Sequence, residues 1–191
     1  MNHSNEQLNG NYTIDLDSLI SRMQTEDSRN KRMMKSIFYI YLVGTVFYAL
    51  LFVLNPDPEL TFYDRAGGLC YVLAFLTGTF FFRREYKELK NTDYTVPLMQ
   101  LLTLQEARYR FMGRKWLVIL VILVLIAGGL GFSLMNPNRL MQFTPLEKLV
   151  IIQGVYWSII VAAGIVGYIL WKKRSYPIWK DVKTLREELI H

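Results

Sequence analysis

The chain has 191 residues, 52% of them hydrophobic, and a net charge of +6, a length that allows one compact unit. Its basic residues flank long uncharged runs and do not form one face of a soluble fold, which argues against nucleic-acid binding and for anchoring beside lipid. The single cysteine, Cys70, lies inside an apolar run, so an intrachain disulfide, a cysteine zinc site and a CxxC redox pair are excluded.

Residues 1–12 are polar, rich in Asn and without pattern, and are expected to be disordered. From Asp15, a suitable N-cap, Leu16, Leu19, Ile20 and Met23 repeat at helical spacing. The apolar run behind this polar stretch is too long for the core of a secretory signal, so a retained membrane anchor is expected. The first span covers residues 36–54 and stops at Asn55-Pro56-Asp57-Pro58. A short acidic loop follows. The second span covers 66–82, ends in Arg83-Arg84 and continues as helix through Lys90.

After a break at 91–95, Pro97 suits the first turn of a new helix. Leu98, Leu101, Leu102, Tyr109, Met112 and Trp116 form its stripe, interrupted by Gln105. The third span, 116–135, is uncharged over twenty residues. At about 1.5 Å per residue it reaches about 30 Å, the hydrocarbon thickness of a bilayer. It has no polar stripe, as a helix in lipid needs none. Asn136-Pro137 closes it. The fourth span covers 149–171 and ends in Lys172-Lys173-Arg174. A separate tail helix is expected next, capped by Ser175 or Tyr176 with Pro177 in its first turn, and with Ile178, Val182, Leu185 and Leu189 as its stripe.

The chain therefore divides into a cytosolic tail and helix (1–35), a first transmembrane hairpin (36–82), a basic cytosolic helical segment (83–115), a second hairpin (116–171) and a cytosolic C-terminal helix (172–191). The fold class is all-α: an integral membrane four-helix bundle of two hairpins with amphipathic cytosolic helices. Nineteen of the 22 Lys and Arg residues fall in the tails and the central segment. The positive-inside rule then puts both termini and the central segment in the cytoplasm. Matched punctuation in the two halves, such as Asn55-Pro56 with Asn136-Pro137, fits either a parallel duplication or the shared signals of any two hairpins.

No ionisable residue lies in a span core, so no proton relay is indicated. Two histidines, one near each end, give no metal site or catalytic base. No Gly-rich phosphate loop is present, and no cofactor is expected. The chain reads as non-enzymatic. Small residues at four-residue spacing, Gly154, Ser158 and Ala162 in the fourth span and Ala127 and Gly131 in the third, are expected to pack helices together. Packing within the monomer and self-association into an oligomer both fit. Gln153 either bonds to another helix or sits near the outer boundary.

The apolar faces of the cytosolic helices have to be covered by one another, by lipid, or by a cytosolic protein partner. The residues placed at a partner or lipid contact are Leu101, Leu102, Tyr109, Met112, Leu185 and Leu189. The polar N-terminal helix, the basic central segment and the C-terminal run Tyr176-Pro177-Ile178-Trp179-Lys180 with Leu185-Arg186-Glu187-Glu188-Leu189 resemble small, mostly uncharacterised bacterial four-span membrane proteins, some encoded beside extracytoplasmic-function sigma factors. That resemblance implies a role in holding or regulating a cytosolic transcription factor at the membrane. The alternatives are a small transporter or channel-like subunit and a structural subunit of a membrane complex.

Overall fold

A computed structural model describes residues 15–55, 57, 60–111, 115–135 and 144–190. Among them the chain forms helices α1 (Leu16–Tyr48), α2 (Phe62–Lys90), α3 (Leu98–Tyr109), α4 (Lys115–Leu134) and α5 (Pro145–Glu188), with no strand. A π-helical turn, Ala49–Val53, extends α1. Four helices, all but α3, are long and apolar enough to cross a membrane. The all-α class and the four apolar segments stand as expected.

Local signals explain the starts. Asp15 caps α1 by accepting from the Asp17 amide at 3.3 Å. Thr61 with Asp64 and Thr144 with Glu147 form capping boxes on α2 and α5, satisfying amides that a helix start leaves unpaired. Pro97 sits one residue ahead of α3. The Asn136-Pro137 turn, the first twelve residues and Met112 lie outside the described residues.

Two elements are longer than the sequence suggested. α1 crosses from its polar stripe into its apolar run without interruption. α5 is one helix of 44 residues, and the separate tail helix is not formed: Pro177 lies inside α5. Its ring removes one amide, which in an isolated helix costs about 3 kcal/mol. Packing on both sides of it offsets that loss. Before it, Trp171 packs against Tyr176; after it, Ile178 and Val182 enter the core.

In the apolar part, α2 lies between α1 and α4. The α1–α2 seam is aromatic over glycine: Tyr41 and Tyr48 pack on Phe75, with Gly44 under the Phe75 ring and Gly78 under Tyr41. Phe52, carried by the π turn, covers Gly68. The α2–α4 seam is close at Gly67 and Gly129: a Cβ on Gly67 would meet the Gly129 carbonyl oxygen at 2.8 Å.

In the apolar part, α5 meets α4 near its start. The Gln153 amide donates to the Ala127 carbonyl at 2.7 Å, and the Tyr156 hydroxyl donates to the Leu123 carbonyl at 2.9 Å. Gln153 thus bonds to a neighbouring helix, the first of its two expected placements. Residues 161–170 of α5 are exposed at every position.

The main buried cluster lies at the basic end. Leu19 and Met23 from α1, Leu101, Leu102 and Tyr109 from α3, and Ile178 and Val182 from α5 form a three-helix headpiece. Leu19 and Leu102 are fully enclosed, and burying such a leucine contributes about 1.5–3 kcal/mol. The two longest helices therefore end in one core, clamped together by the shortest.

Candidate functional site

The headpiece contains a polar centre. Asp27 lies four residues beyond Met23 and eight beyond Leu19, on the same helix face, and is 4% exposed. Its Oδ2 accepts from the Tyr94 hydroxyl at 2.7 Å and from Arg108 at 2.8 Å, with the Gln105 amide at 3.4 Å. Its Oδ1 accepts from the Tyr109 hydroxyl at 2.8 Å. Arg108 also donates to Thr92 Oγ1 at 3.0 Å. A buried carboxylate is tolerated only when paired and hydrogen-bonded, and this one is both. Burial, and then the Asp27 carboxylate, push the Tyr94 and Tyr109 hydroxyls well above the ordinary tyrosine value. Both therefore remain donors to Asp27.

Ion pairs close a ring around this centre. Arg22 of α1 meets Asp181 of α5 at 2.6 Å, and Glu106 of α3 meets Arg186 of α5 at 2.6 Å. Asp27–Arg108 completes the triangle between α1 and α3. Lys115 pairs with Glu85, joining the start of α4 to α2. An aromatic chain clamps the end of α3 onto α5: Phe111 packs on Tyr168 and Trp171, and the Trp171 indole donates to the Tyr109 carbonyl at 2.9 Å. With phenols and a guanidinium bonded to its two oxygens, Asp27 fastens α1 to α3. Among the described residues no three His, Cys, Asp or Glu side chains gather as a metal site would.

The residues expected to contact a partner or lipid are placed differently. Leu101, Leu102 and Tyr109 are inside, at 2%, 0% and 4% exposure. That corrects their assignment: α1 and α5 cover them, leaving no surface for an outside molecule. Leu185 is half-buried against the same core, Leu189 is exposed, and Met112 is among the residues not described. The packing residues divide too. On α4, the Ala127 carbonyl accepts from Gln153 of α5, and a Cβ on Gly131 would meet Leu149 of α5 at 3.6 Å. Gly154, Ser158 and Ala162 are exposed, and a Cβ on Gly154 would meet nothing within 4 Å. That corrects their expected role within the monomer. The close approach uses Gly67 and Gly129 instead.

The sequence did hold a signal for the polar centre. Asp27 and Gln105 each continue an apolar stripe in register, and a polar residue in such a place has to find a buried partner. Two stripes with one polar interruption each can satisfy one another only by facing.

Outside the core, clefts open where α2 passes α3. One, of about 770 Å³, is lined by Phe80, Arg83, Arg84 and Lys87 of α2 and by Leu104 and Arg108 of α3. A second, of about 360 Å³, lies between α2, α3 and the start of α4 and contains Glu85, Arg110 and Lys115.

Fold and site together define a class: an all-helical protein with four helices able to cross a membrane and a folded headpiece at their basic end. No protein-family model, curated protein or solved structure matches the chain.

Proposed function

We propose that the protein is a non-enzymatic, multi-pass protein of a bacterial inner membrane, with both termini in the cytoplasm, that holds or regulates a soluble partner through its headpiece. The observation that carries this reading is the shared core of α1, α3 and α5. Two helices run unbroken from apolar segments into that core, so whatever the headpiece grips is tethered to the membrane. The basic bias supports the orientation, since nineteen of 22 Lys and Arg residues fall in the two tails and the central segment. The resemblance to four-span proteins, some of them encoded beside sigma factors, makes a transcription regulator the first partner to seek.

With the inner leucines covered, the contact falls to the headpiece surface. Leu189 and Ile190, just beyond α5, are 51% and 60% exposed. The test is isolation of the intact protein in mild detergent with identification of stoichiometric soluble companions. Leu189→Glu with Ile190→Glu is expected to release the companion while the headpiece stays folded. Isolation of the protein alone, or a companion indifferent to these changes, overturns the reading and moves the transporter alternative to first place.

A second reading, a subunit of a larger membrane complex, is favoured by the bare small-residue face at Gly154, Ser158 and Ala162. In lipid, close backbone approach through such faces holds helices together. Ser158→Cys in a Cys70→Ala background tests it: an interchain cross-link in native membranes supports the reading, and a wholly monomeric product removes it.

A further inference from the structure

We propose that the cleft between α2 and α3 is a binding site for the headgroup of an anionic phospholipid. Phe80, Arg83, Arg84 and Lys87 recur at helical spacing and share one face of α2, which looks onto Leu104 and Arg108 of α3 across about 770 Å³. The cations are unequally occupied. Arg84 bonds at 2.9 Å to Glu88, which also lines the cleft, and Arg108 is committed to Asp27. Arg83 and Lys87 have no ion pair among the described residues, although they sit one turn apart on the same helix, where like charges repel. An anion seated between them relieves that repulsion.

The surroundings choose the source of the anion. Arg83 follows directly on Phe80-Phe81-Phe82, the end of the apolar run of α2. Phe80 and Leu104 remain 63% and 56% exposed on the floor of the cleft. Cations set immediately above exposed apolar side chains match a lipid, whose phosphate lies at the head of its acyl chains. A free phosphate has no use for the apolar floor. A soluble acidic protein could not reach cations set against the hydrocarbon boundary without displacing lipid. The site is independent of any soluble partner of the headpiece.

The experiment uses the full-length protein in nanodiscs of phosphatidylcholine with stepped amounts of phosphatidylglycerol, reading retained lipid by native mass spectrometry. The wild type is expected to retain phosphatidylglycerol over phosphatidylcholine. Each cation at an anionic surface is worth about fivefold, so Arg83→Gln with Lys87→Gln lowers that preference about 25-fold. Lys172→Gln with Lys173→Gln removes the same charge from exposed positions outside the cleft and leaves the preference in place. Leu104→Glu, at an exposed position, introduces a carboxylate without removing a cation and is expected to expel the lipid; it carries the test should the double variant fail to fold. An unchanged preference in the cleft variants overturns the proposal. So does an equal loss in the control, which would indicate diffuse surface charge, or displacement of the lipid by millimolar inorganic phosphate, which would indicate a phosphate site.

Discussion

Donors from α3 and from the segment before it meet on the one carboxylate of Asp27. Removing one member of a buried pair leaves the other charged and unpaired, a loss of about 3–5 kcal/mol. Asp27→Ala is therefore expected to cost about 3 kcal/mol, the low end, because Arg108 keeps its bond to Thr92. Hydrogen exchange of the α3 amides should quicken accordingly; unchanged protection would mean that apolar packing alone holds α3 in place. The tyrosines add a pH dependence. Their folded values lie above the unfolded value, so the neutral form is bound more tightly in the folded state. That stabilisation is complete below pH about 10, the unfolded value, and is lost as pH rises beyond it. Thermal melts from pH 9 to 11 should show a fall that is shallower in Tyr94→Phe with Tyr109→Phe. Equal slopes would exclude the two phenols as its cause.

At the scale of elements, α2 and α5 differ in how they use small residues. A Cβ on Gly129 would meet the Tyr71 ring at 2.8 Å and the Gly67 carbonyl at 3.0 Å, both from α2. Gly129→Leu has no room and is expected to cost at least the 1–3 kcal/mol typical of overpacking. Ser158→Leu and Ala162→Leu, on the open face of α5, are expected to leave the melting temperature of the detergent-solubilised monomer unchanged. A drop on Ser158→Leu comparable with that of Gly129→Leu would show that the stripe is packed after all. Four-residue spacing of small residues was legible on both α4 and α5, but spacing is the same whether a face meets a helix or nothing. Gly67 and Gly129 belong to different stretches of chain, and no local pattern pairs them.

Across the whole molecule, the apolar segments and the headpiece share helices α1 and α5, so they are continuous in structure. A reporter fused after His191 is expected to read cytoplasmic, and one inserted within 136–147 is expected to read external. Readings on the same side would overturn the four-span topology. Composition and periodicity alone determined the helical class, the four apolar segments, the breaks near 55 and 91–95, and the stripes that became the headpiece core. Those features follow from burial and backbone geometry within a few turns of chain, so a local reading suffices. Only the tertiary structure decided what each stripe faces. Leu101 and Leu102 needed cover, and the pattern left lipid, a partner and their own chain open; contact with Leu19, Met23, Ile178 and Val182 selected the last. Likewise Pro177 reads locally as a helix start, yet lies within α5 because packing on both its sides outweighs one missing amide. Local preference is worth a few kcal/mol at most, and burial supplied by residues 80 and 160 positions away can exceed it.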